Sequence, residues 1–464
     1  MIFNQAIGIL RRNIMNPQVF REYDVRGTVG EDLDYDFVYN LGKAIGTYGK
    51  SQKVASMTIG RDCRLSSEEY RGALIDGLLT TGINIIDIGL CATPILYYSI
   101  RHLNTDGGVM VTGSHNPPEF NGFKICIGHD TIYGENIQKL RRIMEDGRYA
   151  SGKGTLDRTD VAPFYQDYIF NNVKVKKGLK VVVDAGNGVG GLFALPIFER
   201  LGCITTPLYC DTNGLFPNHF PDPTVEENLK GLMRLVKEKK ADIGIAYDGD
   251  ADRIGVITDK GEIIRGDQLL LLFSRSILEE NPGATIIGEV KCSQTLYDDI
   301  EKNGGRGIMW KAGHSLIKGK MKEEKALLAG EMSGHLFFAD RYFGYDDAIY
   351  ASARLLEIIS TTGLKPSQIL SDVPHMFNTP EIRVDCPDDV KFKVVEKVKN
   401  YFAKHYAVID IDGVRVQFEN GWGLVRASNT QPVLVLRFES KTEEGLESAR
   451  KLVESVVKNA MAGF

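Results

Sequence analysis

The sequence predicts three similar mixed α/β domains followed by a smaller C-terminal α+β domain. Three observations predict this. The chain has 464 residues, too many for one hydrophobic core. Up to about residue 373, short apolar runs alternate with segments of helical periodicity, and each run breaks at a glycine-bearing or charged loop, which is the pattern of α/β units. From about Phe377 the texture changes, and strand-like runs at 380–385, 414–418 and 433–439 frame helical segments at 390–404 and 443–461. The expected boundaries are residues 1–155, 156–265, 266–373 and 374–464.

Composition narrows the function. Hydrophobic content of 43% and charged content of 25% belong to a soluble globular protein. A net charge of −5 gives no general attraction to nucleic acid or anionic membrane. No apolar run approaches a membrane span. The seven cysteines are scattered without CxxC spacing, which fits a reducing cytoplasm better than a disulfide scaffold or zinc site. Residues 1–16 lack a long apolar stretch after an early basic one. They read as a peripheral appendage, or as an upstream translation start with Met15 the usual one.

In the first domain a helix is expected over Asp34–Tyr48, with Phe37, Leu41, Ala44 and Ile45 on one face. A strand at Met57–Ile59 ends in Gly60-Arg61-Asp62. A helix opens at Ser66, a good N-cap with Glu69 at the capping-box position. A strand at Ile83–Ile88 precedes a helix opened by Thr93-Pro94. The apolar run Val109–Val111 then breaks at Thr112-Gly-Ser-His-Asn-Pro117, and a turn at Asn121-Gly122 brings Lys124 back. A hydroxyl, an imidazole, an amide and an ammonium thus share a loop stiffened by proline. Such loops carry chemistry, although an ordinary Ser/Asn/Pro turn has the same composition.

In the second domain the strand Leu179–Asp184 runs into Ala185-Gly-Asn-Gly-Val-Gly-Gly191. No Gly-Lys-Ser/Thr follows, so this is not a P-loop. Gly186, Gly188 and Gly191 have GxGxxG spacing, but no acidic residue ends a second strand about twenty residues on. A tight strand-to-helix turn is the better reading. Strands at 241–247 and 254–257 flank Asp248-Gly-Asp-Ala-Asp-Arg253. Three carboxylates so close repel one another unless a cation sits among them, and hard oxygen ligands suit Mg²⁺ or Mn²⁺. An EF-hand fails, because Arg253 stands where glycine is needed and strands flank the loop. A solvated acidic turn would need only one aspartate. Arg253 adds a fixed cation suited to phosphate oxygens.

The third domain has a helix at 268–278, a strand at 285–290 ending in Lys291-Cys-Ser293, and the segment Met309–Ser315. In Gly330-Glu-Met-Ser-Gly-His335 the polar residues Glu331, Ser333 and His335 alternate, so an extended segment would point all three one way. They suit vicinal hydroxyls, or else line a polar edge strand. A helix at 346–360 ends the domain. The loops at Gly60, Asp184 and Lys291 occupy similar places in the three domains, a faint internal repeat. In the last domain the loop Arg426-Ala-Ser-Asn-Thr430 offers a guanidinium fork, hydroxyls and an amide, which make a good phosphate clamp.

With these loops placed, the chain from Phe20 onward resembles the α-D-phosphohexomutase superfamily, and within it the phosphomannomutase/phosphoglucomutase group. The resemblance rests on four motifs in order: Thr112–Pro117, Asp248–Arg253, Gly330–His335 and Arg426–Thr430. It implies four domains around a central cleft and reversible interconversion of hexose 1- and 6-phosphates of mannose or glucose. Ser114 would carry a phosphoryl group in the resting enzyme. Mg²⁺ would be held by Asp248, Asp250, Asp252 and a phosphoserine oxygen, with a hexose 1,6-bisphosphate as intermediate. Glu331 and Ser333 would bind the 3- and 4-hydroxyls, which glucose and mannose share. Arg426, Ser428, Asn429 and Thr430 would clamp the non-reacting phosphate. Tyr23, Arg26, Lys124, Arg253, Lys291, His314 and His335 match other positions lining the cleft of the family. Lys124, His335 and Arg26 are the candidate bases, although arginine is a poor one by itself, and His115 is a supporting group. The chain departs from the pattern at Gln431, where many relatives are acidic, and in its N-terminal extension. Met332 fits the mannose/glucose group better than the glucosamine mutases. The resemblance further implies small hexose phosphates as the partners, a monomer or weak dimer, and rotation of the last domain on a hinge near 372–377.

Overall fold

In a computed structural model the described residues are 15–176, 178–429 and 431–463. Most of the 1–16 appendage and Thr430 lie outside them. The chain divides into two compact units. One holds the residues up to Cys91 with Tyr98–Asp160. The other holds Ala92–Tyr97 with the chain from Val161 onward.

The first unit is built on one sheet. Its core strand Gly107–Val111 is buried along its whole length. Ser56–Arg61 and Asn84–Leu90 lie parallel to it in turn, and Phe120–Ile127 returns antiparallel on its other side. Val25–Thr28 pairs with that return strand, and Leu156–Arg158 adds to the far edge. Helices Tyr35–Ser51 and Ser67–Leu79 cross closely because Gly42 and Gly77 have no side chain. A Cβ on Gly77 would sit 2.1 Å from the Tyr39 carbonyl oxygen.

The second unit holds three sheets. In the first of them Lys180–Asp184 lies between Ile204–Leu208 and Ile243–Tyr247, all parallel, and Ile254–Thr258 returns antiparallel. In the next, Thr285–Glu289 lies between Arg306–Trp310 and Leu328–Gly330, and Leu336–Phe338 returns. The last is antiparallel, in the order Phe377–Asn378, Val433–Ser440, Gly421–Ala427, Val414–Phe418, Val408–Ile409, with Ile382–Asp385 also on Val433–Ser440. Helices Lys391–Phe402 and Glu443–Met461 cover it through Val394, Val398, Val453 and Val457.

The faint repeat is therefore a repeat of topology. In the three mixed sheets the strands run in the order second, first, third, fourth, with three parallel and the fourth antiparallel. The connections from third to fourth strand are the Ser114 loop, the aspartate loop and the Glu331 turn.

Several expectations need correction. Ser66 makes no side-chain cap to the helix that starts at Ser67. Its hydroxyl accepts from Asn121 Nδ2 at 2.8 Å instead. Glu331–His335 is a tight turn, not an extended segment. Gly334 N donates to Glu331 O at 3.0 Å, and Gly334 adopts φ +89°, a conformation that favours glycine. Arg426 lies inside strand Gly421–Ala427, one residue before its end, rather than in a loop. The helix Glu226–Lys239 went unread, although Leu229, Leu232 and Val236 form its buried stripe.

Candidate active site

The Ser114 loop is held from the end of strand Ser56–Arg61. Asp62 accepts from Thr112 Oγ1 at 2.8 Å and from Gly113 N at 3.3 Å, and Ser114 N donates to Thr112 Oγ1 at 2.8 Å. Arg64, whose side chain is 0% exposed, donates to the carbonyls of Ser114, Asn116, Pro117 and Phe120. A Cβ on Gly113 would meet that guanidinium at 2.6 Å, so any larger residue would have to displace Arg64. Ser114 itself adopts φ +50° and is 2% exposed. A non-glycine in the left-handed region costs about 1 kcal/mol or more unless its surroundings enforce it. His115 Nδ1 lies 3.2 Å from Ser114 Oγ. Arg26, paired with Asp24, donates to Asn116 Oδ1 at 3.2 Å. Lys124 is buried on the return strand opposite Met110, and Tyr23 is half-buried just before Val25–Thr28.

In the second unit Asp248, Asp250 and Asp252 are each 0% exposed, and one carboxylate oxygen from each lies within 4.8 Å of the others. The turn bends through Ala251 at φ +60°. Asp248 Oδ1 accepts from the amides of Asp252 and Arg253, both at 3.0 Å, and Asp250 accepts from Thr93 Oγ1. Three buried, clustered hard-oxygen donors fit Mg²⁺. Arg253, beside them, is half-buried. Burial opposes its charge, but Asp222, Asp248 and Asp252 outweigh burial and hold it above its ordinary value.

His335 joins the aspartates to the Glu331 turn. Its Nε2 lies 3.1 Å from Asp252 Oδ1 and its Nδ1 lies 2.8 Å from Glu331 Oε2. Burial disfavours the charged ring, yet Asp252 and Glu331 outweigh it and raise its pKa to about 9. Glu331 Oε1 accepts from Gly313 N at 2.7 Å, and Ser333 Oγ lies 3.3 Å from His335 Nδ1. Glu331, Ser333 and His335 therefore do converge, through a turn rather than by alternation. His314 Nδ1 is 3.6 Å from Asp346. Lys291 lies 3.4 Å from Glu289 and 3.2 Å from Glu381. Burial opposes its charge, and the two carboxylates outweigh burial.

Arg426 donates from Nε to Asp412 Oδ2 at 3.0 Å, and Asp412 also accepts from Ala312 N at 3.1 Å. Ser428 Oγ accepts from Gln431 N at 3.1 Å. The departing residue Gln431 turns its side chain to Arg383 at 2.8 Å. Asn429 follows Ser428, and Thr430 lies outside the described residues. Arg64, Asp62, Glu289 and Asp412 went unrecognised in the sequence. The only signal was their place at strand ends or in charged turns.

Three mixed sheets of one topology, an antiparallel fourth and these four loops define an α-D-phosphohexomutase. Domain models of phosphoglucomutase/phosphomannomutase match residues 17–150 (α/β/α domain I), 163–261 (domain II), 265–377 (domain III) and 381–455 (C-terminal domain). The chain belongs to the phosphoglucomutase/phosphomannomutase family. It is 48% identical over 441 residues to the phosphomannomutase/phosphoglucomutase of Pseudomonas aeruginosa, covering 95% of each chain. It is 44% identical over 446 residues to the phosphoglucomutase of Neisseria gonorrhoeae, covering 95% of this chain and 97% of that one. The crystal structure of a phosphoglucomutase/phosphomannomutase family protein from Burkholderia thailandensis superposes with a TM-score of 0.92 at 41% identity, covering 96% and 98% of the two chains. The protein is thus an enzyme, an isomerase that moves a phosphoryl group within its substrate. No described helix is long and apolar enough to cross a membrane.

Proposed function

We propose that the protein interconverts the 1- and 6-phosphates of hexoses, mannose and glucose among them, through phosphorylated Ser114 and a bound hexose 1,6-bisphosphate. The free hydroxyl of the hexose phosphate attacks phosphorus, the bond from phosphorus to Ser114 Oγ breaks, and the hydroxyl proton passes to a base. The bisphosphate turns round in place, and its other phosphoryl group returns to Ser114 Oγ. Asp248, Asp250 and Asp252 would hold Mg²⁺, which supplies neutralising charge for phosphoryl oxygens when bound. Arg253 adds fixed positive charge, and Lys124 adds charge while it holds its proton. Glu331 and Ser333 hold the 3- and 4-hydroxyls, and Arg426, Ser428, Asn429 and Thr430 grip the phosphate that is not reacting. Lys124 and His335 are the groups able to exchange the proton.

The observation that carries this reading is the state of Ser114, left-handed and buried, with its amide held through Thr112 and its carbonyl held by Arg64. A serine held at that cost is prepared for one reaction. Intact-mass and peptide mapping of the purified enzyme should place a phosphate on Ser114. Ser114→Ala should lose mutase activity by about 10³-fold or more, as expected when covalent catalysis is removed. Full activity in that variant would end the proposal.

A further inference from the structure

The three mixed sheets share more than strand order. In each, residues at the end of the first strand or in the turn that follows it support the loop between the third and fourth strands. Asp62 and Arg64 hold the Ser114 loop. Val189 N donates to Gly249 O of the aspartate loop at 3.1 Å, and the approach is so close that a Cβ on Gly188 would lie 2.7 Å from that oxygen. In the third sheet the supporting group is Glu289, the last residue of Thr285–Glu289.

Glu289 is 0% exposed. Its Oε1 accepts from Met332 N at 2.8 Å, across 43 residues of sequence, and lies 3.4 Å from Lys291 Nζ. Its Oε2 is buried with no hydrogen-bond partner among the described residues. Burying a carboxylate with one oxygen unsatisfied costs stability, so Glu289 is poorly explained as scaffold. Met332 sits between Glu331 and Ser333 in a turn that is also held by Gly313 N donating to Glu331 and by Ile254 N donating to the Gly334 carbonyl. From these contacts we infer that Glu289 is a positioning residue for substrate recognition: by holding the Met332 amide and the Lys291 ammonium together, it sets where Glu331 and Ser333 meet the hexose hydroxyls. The inference rests on the assignment of Glu331 and Ser333 proposed above.

The test compares kcat and KM for glucose 1-phosphate and 4-deoxyglucose 1-phosphate in the full-length enzyme and in Glu289→Leu, Glu289→Gln and Glu331→Ala, with backbone hydrogen exchange over residues 327–338. Leucine fills the buried site but cannot accept a hydrogen bond, whereas glutamine keeps the acceptor. Glu289→Leu should lose about tenfold of the preference for the 4-hydroxyl, the order expected when a charge-assisted hydrogen bond is lost. It should do so mainly through KM, and Met332 exchange should accelerate. Glu289→Gln should restore most of both. A role confined to stability would lower the amount of folded enzyme without changing the preference. If Glu331→Ala abolishes the preference while Glu289→Leu retains it with unchanged exchange, the inference falls alone. If Glu331→Ala retains it too, the hydroxyl assignment falls and takes the inference with it. Should Glu289→Leu not fold, Glu289→Asp carries the same comparison, because its shorter carboxylate withdraws from Met332.

Discussion

Asp250 shows how one residue can be legible by type and illegible by surroundings. Its place in a candidate metal site follows from three aspartates spaced by two in a turn. Its second contact, the hydroxyl of Thr93, lies 157 residues away in the chain and leaves no local trace. Replacing it by asparagine keeps the shape and removes one charge from a fully buried trio. Apparent Mg²⁺ or Mn²⁺ affinity, measured by titration calorimetry on the enzyme, should fall by about ten- to a hundredfold, because hard divalent ions depend on carboxylate charge. Unchanged affinity would place the metal elsewhere. The same contrast runs through the site. Ser114, the aspartates, Glu331 and Arg426 stand out as candidates because their chemistry is concentrated in short motifs. Arg64 and Glu289 do not, since each acts on a loop 43 or more residues further on.

Strands were read well as elements because their apolar runs end at glycine or charge. Lys180–Asp184 and Gly107–Val111 lie where the pattern puts them. Turns were read less well, because alternation alone cannot tell an extended Glu331–His335 from a turn closed by a glycine of positive φ. The glycine-rich segment after Asp184 turns strand Lys180–Asp184 into helix Gly190–Arg200, and its support is titratable. His219 Nε2 lies 3.2 Å from both Asp184 oxygens, and Asp184 Oδ1 accepts from Gly186 N at 2.9 Å. Burial disfavours the charged imidazole, but Asp184 outweighs it and raises the pKa above the ordinary 6.5. A raised histidine stabilises the fold fully below its unfolded value and loses that contribution as pH climbs through its folded value. His219→Gln should therefore destabilise by about 1 kcal/mol near pH 6 and much less near pH 9. Thermal midpoints at the two pH values check this, and an equal loss at both would show that the pair is not charged.

At the scale of the second unit, the fourth sheet meets the third through a seam that is charged more than apolar. Val290, Trp422 and Leu424, with Met309 beside them, form an apolar cluster in it. Arg415 is 0% exposed. It donates to the carbonyls of Val290 at 2.7 Å and Cys292 at 2.9 Å and stacks 3.8 Å from the Trp422 ring centroid. Burial pulls its pKa down to about 10. Glu439 accepts from both Trp422 Nε1 and Gln294 N. The seam borders Lys291, which precedes Cys292 and reaches Glu381, and Asp412 links Arg426 to Ala312. Loosening the seam should therefore move the cleft candidate Lys291 against the phosphate-clamp candidate Arg426. The connection between the sheets is tied at both ends: Arg275 holds Asp372 in a two-pronged ion pair at 2.9 and 3.0 Å, and Phe377 pairs with Ser440. Any rotation of the fourth sheet is therefore concentrated in residues 373–376. Arg415→Met would strand two buried carbonyls and remove the cation from Trp422, at a cost of about 3 kcal/mol. Limited proteolysis should then cut within 373–376 at least about tenfold faster, since a cost of that size raises the open population by more than this. KM for hexose phosphate should rise together with cleavage. Faster cleavage with KM unchanged would mean that the seam holds the sheet in place without aligning the phosphate clamp.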